Sequence, residues 1–244
     1  MNAGERYICE IGRLIGAVAK RQGEAVERAA ELVSDALCSG GFVFTFGTGH
    51  SHLLAEEIFY RAGGLARVCP ILADGLMLHR AAAASSQLER ASGLAAPLLD
   101  DVDAVSCGGV MFLFSNSGCN TVVVDMALEA KKRGLSTVCI TNLTHAGQSV
   151  SRHPDGKKLC EVCDVVIDNM GCYGDAAITV GDAVTGATST VIGAMLLQAV
   201  VCRGIELATD RGGSPEVFHS ANTAGGDAAN EALIRKYKPY VRAL

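Results

Sequence analysis

Three segments of this 244-residue chain place small hydrogen-bond donors where they could hold an anion. Gly47-Thr48-Gly49-His50-Ser51 follows an apolar run and opens directly into a helical pattern. Backbone N–H groups and two hydroxyls therefore surround a helix N-terminus, a site that favours phosphate or carboxylate. Ser115-Asn116-Ser117-Gly118-Cys119-Asn120-Thr121 repeats the arrangement after a later apolar run, and Gly118 permits close backbone approach. Thr185-Gly186-Ala187-Thr188-Ser189-Thr190 precedes a third helical pattern and reads either as another anion site or as an elaborate N-cap. The candidate phosphate donors are thus Thr48, Gly49, Ser51, Ser115, Asn116, Ser117, Asn120, Thr121, Thr188 and Ser189. A hydrogen bond to a charged group contributes roughly 1.5–3 kcal/mol, and a helix terminus adds about 0.3–2 kcal/mol. Several together hold a dianion without any arginine. Ser, Thr and Asn are also ordinary caps, so one such loop supports either reading equally; two on one sheet edge favour a ligand.

The elements that must position these loops follow from hydrophobic periodicity. Ile8, Ile11, Leu14, Ile15 and Val18, then Val26, Ala29, Ala30, Val33 and Leu37, recur at helical spacing and predict two amphipathic helices within residues 1–41. Gly40-Gly41 ends the second, and Phe42–Phe46 reads as a buried strand. Next come a helix over His52–Ala62, a strand over Val68–Leu72, a helix around Ala82–Ala91 and a strand over Val110–Phe114. A helix over Thr121–Arg133, a strand over Thr137–Thr141, a polar loop from Thr144 to Lys158, a strand over Val165–Asp168 and a long helix over Ser189–Arg203 complete the alternation. Strands that alternate with helices and are apolar on both faces predict an α/β fold. The expected form is a three-layer α/β/α sandwich around a central, mostly five-stranded parallel sheet. Such sheets bind ligands outside the carboxyl ends of their strands, where the first two donor loops lie. Residues 212–226 are rich in Gly, Ser, Asn and Thr, and Asp227 is placed to cap a last helix carrying Leu233, Ile234 and Tyr237. We expect one domain over 1–244: a helical segment to 41, the sheet core over 42–210, and the Gly-rich loop and helix over 211–244.

Composition narrows the function classes. Hydrophobic residues make up 49% and charged residues 19%, enough apolar material for a buried sheet. The net charge of -5 and the lack of any Lys/Arg run argue against nucleic acid. No run of roughly 18 apolar residues is evident, so a membrane span is not expected. The polar start over Met1–Arg13 is unlike a signal peptide, which points to the cytoplasm. The ten cysteines are scattered, and Cys69, Cys107, Cys139 and Cys202 lie in apolar runs as small core residues. Cys160 and Cys163 have CxxC spacing but precede an apolar run, whereas a redox pair follows a strand and opens a helix. Gly47-x-Gly49 lacks the third glycine of a dinucleotide fingerprint because His52 stands there, and Cys69-Pro70 occupies the place of its acidic residue. His52 and Glu56 are too few to ligate a metal. No cofactor and no metal are expected.

The Ser-x-Ser-Gly core at Ser115–Gly118, after an apolar strand and before a helix, resembles the phosphosugar loop of the sugar isomerase (SIS) domain family. The run Gly47–His52, with Ala55-Glu56-Glu57 and Tyr60-Arg61-Ala62-Gly63-Gly64 behind it, is similar to the phosphoheptose isomerase-like subgroup of that family. So are Ser151-Arg152-His153, Asp164-Val165-Val166-Ile167-Asp168-Asn169, Gly174-Asp175-Ala176, Thr188-Ser189-Thr190-Val191, and Phe218 with Ser220-Ala221-Asn222. Ser-x-Ser-Gly alone is a weak signal, but jointly these motifs span nearly the whole chain. The resemblance implies a flavodoxin-like fold, a sugar-phosphate ligand, and a homodimer or higher homo-oligomer with helices packed between protomers and sites near the subunit interface. It also implies that Ser51, Ser115, Ser117 and Asn120 face the phosphate. Two positions depart from the pattern. Asn120 replaces the usual Ser or Thr with an amide that still donates, and Cys119 stands where the subgroup has Arg, which removes a charge.

An aldose–ketose isomerase, the activity the resemblance implies, lifts a weakly acidic C2 proton and returns it to C1 through an enediolate. A positioned base gives about 10²–10⁴-fold. Related phosphoheptose isomerases use a glutamate in an Ala-Glu-Glu context, which implies Glu57, with Glu56 as the alternative register. The plain reading of Glu57 is an ion pair with Arg61, four residues on. His50 in the first loop and His219 in the Gly-rich tail are the acid candidates, the second reaching a neighbouring subunit's site. His145, Arg152, His153, Lys157 and Lys158 fall in the polar loop, which reads as exposed and mobile. Three functions follow: a sugar-phosphate isomerase of the phosphoheptose or amino-sugar type, a phosphosugar-binding module without turnover, and a lyase or etherase on a phosphorylated amino sugar.

Overall fold

The computed structural model describes residues 1–244. Asn2 caps α1 (Ala3–Arg21) by accepting from the Glu5 N–H while the Glu5 carboxylate accepts from its own, and α2 (Gly23–Ser39) ends at Gly40 in the left-handed region. Then follow β1 (Phe42–Gly47), α3 (His52–Glu57), β2 (Val68–Pro70), α4 (Leu78–Leu88), α5 (Ala95–Asp100) and β3 (Gly109–Phe114). Next are α6 (Thr121–Lys132), β4 (Ser136–Thr141), α7 (Leu143–Gln148), α8 (Leu159–Val162) and β5 (Val165–Asp168). A hairpin, β6 (Ile178–Val180) and β7 (Ala183–Thr185), precedes α9 (Ser189–Asp210) and α10 (Gly226–Tyr237).

The five main strands form a parallel sheet in the order β2-β1-β3-β4-β5. Side-chain alternation splits the core into two layers. Val43, Val110, Phe112 and Val138 face α1, α2, α3 and α9, through Leu14, Val33, Leu54 and Leu196. Phe42, Phe44, Met111 and Leu113 face α5, α6 and α10, through Leu99, Val123 and Tyr237. Burial on both faces is why the strands read as unbroken apolar runs, and the α/β/α sandwich with its five-stranded parallel sheet matches the expectation. Strand order reverses between β1 and β3, so their carboxyl ends diverge and leave a crevice.

Several element boundaries differ from the sequence-based expectation. The helix expected to reach Ala62 stops at Glu57. Beyond it Tyr60 is left-handed (φ 44°), and the chain turns out to bond the tail: Gly63 N–H donates to Phe218 O (2.8 Å) and Phe218 N–H to Gly64 O (2.9 Å). A long-range pairing thus takes the backbone groups that a helix would have used. The fourth helix starts at Leu78 and kinks at Ala81, and α5 is additional to the expected elements. The polar loop from Thr144 to Lys158 contains most of α7, and the β6–β7 hairpin is additional. Gly225, not Asp227, is the N-cap of α10, and Asp227 lies in its first turn.

The long helix also runs further than expected, to Asp210. It has 22 residues, and its most apolar 18-residue stretch has a mean hydropathy of 1.7, long and apolar enough to cross a membrane, contrary to the expectation that no such stretch exists. In this fold its inner face is core instead, packed on α2 and α3. Gly204 makes the close approach possible, since a Cβ there would lie 2.7 Å from Val33 Cγ1.

Candidate functional site

At the β1 end the chain turns within Gly47–Ser51, through a single 3-10 turn over Gly49–Ser51, before α3 begins. Gly47 is required, because a Cβ would overlap the Ser51 carbonyl. With only six residues, α3 contributes little dipole, so this loop offers hydroxyls and N–H groups more than a helix field. At the β3 end, Gly118 adopts a left-handed φ of 63° and folds the loop into the start of α6. Ser115 Oγ accepts from Gly118 N–H (3.1 Å), and Ser117 Oγ accepts from Cys119 N–H (3.4 Å). Each hydroxyl is oriented by a bond it accepts and keeps its own proton for a ligand.

The two loops meet across the β1/β3 crevice. Thr48, Ser51, Ser115, Asn116, Ser117 and Asn120 line one polar cavity of about 610 Å³. Its other walls come from His145 and Gln148 of α7, the run Ser149–Arg152, and Tyr173, whose ring contacts His145 tilted at 48°, 4.8 Å between centroids. An amide chain braces the floor: Asn142 Nδ2 donates to Asn169 Oδ1, and Asn169 Nδ2 donates to Asn116 Oδ1, both at 2.9 Å. A different cavity of about 590 Å³, lined by residues such as Ile71, Leu98 and Val241, contains neither loop.

The other expected donors are committed elsewhere. Thr121 is buried and its hydroxyl donates to Arg152 O at 3.0 Å. Gly49 is not on the cavity wall. Thr188 and Ser189, the third candidate anion site, are occupied by the chain's own carboxylate. Asp175 accepts from both of their N–H groups and both of their hydroxyls, at 2.5–3.1 Å, which leaves none of those donors for a ligand. The "elaborate N-cap" reading therefore describes this segment.

The acid–base candidates are dispersed. Glu57 accepts from Arg61 and from Gln198 Nε2 (3.1 Å) on α9, and Glu56 is exposed; neither lines the cavity. His50 borders a small adjoining void of about 20 Å³, shared with Ser51, Ser115 and Ser189. His219 is exposed in the tail, its backbone paired with the Asn230 amide. The carboxylate on the cavity wall is instead Glu89, which accepts from Thr48 Oγ1 at 2.9 Å. No motif marks Glu89, which is 41 residues from its partner. Arg152, in the loop that reads from sequence as exposed and mobile, also lines the cavity. Cys119 also borders the cavity, and burial pushes its thiol above the usual range.

Comparison with known proteins identifies the family. The model of the SIS domain matches residues 6–142, more than half of the chain. A UPF0309 protein of Geobacillus thermodenitrificans is 41% identical over 242 residues, covering 98% of this chain and 97% of the relative. Among solved structures, the Vibrio vulnificus NanR protein complexed with ManNAc-6P superposes with a TM-score of 0.51 at 18% identity, covering 98% of this chain and 69% of that one. A phosphoheptose isomerase from Francisella tularensis gives 0.49 at 13% identity, covering 86% and 100%. The SIS domain match over more than half of the chain, with a doubly wound sheet that carries a Ser-x-Ser-Gly loop at its switch point and 41% identity to a UPF0309 protein along nearly its whole length, makes this chain a member of the SIS domain family.

Proposed function

We propose that the β1/β3 cavity binds a sugar phosphate and that the protein interconverts an aldose and a ketose phosphate through an enediolate. The observation that carries this reading is the convergence of Ser51, Ser115 and Ser117 on one polar cavity at the switch point. A dianion there meets hydroxyl donors and the α6 N-terminus, while the carbohydrate extends towards His145 and Tyr173. Two glutamates compete for the role of base. Glu57 is six residues beyond Ser51, roughly 9 Å along a helix axis, at a spacing that suits a carbon distant from the phosphate. Glu89 is already on the cavity wall. His50 borders the adjoining void, and His219, exposed in the tail, is the alternative acid if a second copy of the chain completes the site. The expected homodimer is supported by apolar side chains exposed on α1 and α9, with Ile8 at 71% and Val191 at 45%.

The test is proton exchange at C2, followed by NMR in deuterated water with pentose, hexose and heptose phosphates and their 2-amino analogues. Exchange that is lost in Glu57→Gln but retained in Glu89→Gln assigns the base to α3, and the opposite pattern assigns it to Glu89. One observation favours a second reading, a phosphosugar sensor without turnover: Glu56 and Glu57 lie off the cavity wall. Calorimetric binding without exchange, and unaltered affinity in both glutamine variants, would select that reading.

A further inference from the structure

The Ser-x-Ser-Gly loop of this chain is followed by the uncharged Cys119, and no Lys or Arg of either donor loop lines the cavity. The donor loops can hold a dianion by hydrogen bonds, but any countercharge has to come from another element. Resting on the phosphosugar reading of the cavity, we propose that Arg152 is the cation that pairs with the ligand's phosphate, held in place by a strap over residues 149–158 that His153 locks onto α6.

Arg152 is the cavity's single Lys or Arg. Both sides of its backbone are fixed to the phosphate loop: its N–H donates to Cys119 O (2.8 Å), and its carbonyl accepts from buried Thr121 Oγ1 (3.0 Å). Its guanidinium donates through Nη1 to Asn120 Oδ1 at 2.7 Å, which directs the fork to the start of α6. A guanidinium has five N–H donors, so one such bond leaves four for phosphate oxygens and holds the plane in orientation. Thr121, expected from sequence to touch phosphate, instead holds the backbone of the residue that does.

The strap is anchored more firmly than an idle surface loop requires. The His153 side chain is only 6% exposed, and both ring nitrogens are bonded. Nδ1 accepts from Asp155 N–H (3.1 Å), so the proton resides on Nε2, which donates to Asp125 Oδ1 of α6 (3.0 Å). Ser151 closes the loop by donating to Lys157 O (2.5 Å) and accepting from His153 N–H (3.1 Å). Burying an imidazole costs free energy unless its polar atoms are paired, and here the pairing sets the position of the neighbouring Arg152. Asp125 and His153 do not themselves line the cavity and act as positioning residues.

The test is calorimetric titration of the full chain with inorganic phosphate, glucose 6-phosphate and glucose. Arg152→Ala is expected to weaken the phosphate-bearing probes about 10- to 100-fold, as loss of a charged hydrogen-bond pair should. Arg152→Lys should recover part of that loss, and rising salt should weaken the native protein more than Arg152→Ala. Asp125→Ala should weaken binding less, and in the double variant with Arg152→Ala it should add nothing, because it acts through that arginine. Full phosphate affinity in Arg152→Ala alongside a loss in Ser117→Ala overturns the assignment and leaves the cavity reading intact. Phosphate binding that is absent from the native protein, or insensitive to both substitutions, overturns the cavity reading and this assignment together.

Discussion

The N-termini of α6 and α9 look alike in sequence and differ in what occupies them. Each opens at the ligand edge of the fold with a cluster of hydroxyl residues, Ser115–Thr121 in one and Thr185–Thr190 in the other. At α9 the chain delivers its own anion: Asp175, in the left-handed region at φ 56°, accepts four hydrogen bonds from Thr188 and Ser189. At α6 no carboxylate enters the donor set; Ser115 and Ser117 are oriented by backbone N–H groups and face a cavity. A Ser/Thr-rich helix start is therefore ambiguous until the source of its anion is known. A carboxylate from a nearby loop makes it a cap, and the lack of one makes it a receptor.

The largest effect should come from testing the receptor end against the capped end. Ser115→Ala and Ser117→Ala should each reduce sugar-phosphate affinity on the order of tenfold to a hundredfold, as each removes a charged hydrogen bond. Thr188→Ala with Ser189→Ala should leave affinity within twofold, a rough bound from the distance of that site, and instead lower stability by about 1–2 kcal/mol. Titration calorimetry beside thermal denaturation separates the two. An affinity loss from the α9 pair comparable to that from the serines would break the contrast.

A sharper version removes the internal anion. Asp175→Ala deletes the partner of two N–H groups and two hydroxyls, so a loss of about 1–3 kcal/mol is expected. The vacated helix end should then accept an external anion. Tens of millimolar phosphate or sulfate should raise the melting temperature of Asp175→Ala more than that of the unmodified protein, since an ion bound only by the folded state stabilises it. Equal shifts in the two would show that the hydroxyls at α9 form no anion site even when free.

The same contrast explains which parts of the molecule were legible in its sequence. The five strands, both amphipathic N-terminal helices and the two donor loops are local patterns, carried by apolar alternation and by Gly and Ser at turns, and they appear where periodicity puts them. The polar cavity's serines were visible for the same reason. What escaped was set by distant pairings. The end of α3 depends on Phe218, and the status of Thr188 depends on Asp175, 13 residues earlier, in a conformation no motif announces. Glu89 meets Thr48 because α4 returns across the β1 end, and Arg152 counts because His153 is buried on Asp125. Charge in a long polar loop reads as solvated until its anchors are seen.

The smallest effect concerns how firmly the open end is preformed. Cys119 lies inside the receptor loop, is 1% exposed, and donates through Sγ to Ser117 O at 3.1 Å. Burial is the main cause that raises its thiol, so little of it should be thiolate at pH 7.5, whereas Cys9, Cys38 and Cys202 are exposed to reagent. Iodoacetamide labelling followed by peptide mass mapping should therefore modify those three first. Cys119 should still react slowly at pH 9, and a bound sugar phosphate should slow it further by a modest factor. Labelling of Cys119 as fast as Cys9, with or without ligand, would mean that the loop opens to solvent on the labelling timescale. The α6 end would then be assembled by its ligand, and the difference from the α9 end would be one of rigidity as well as occupancy: a cap closed by an internal carboxylate, against a site whose donors acquire their geometry only when an external anion arrives.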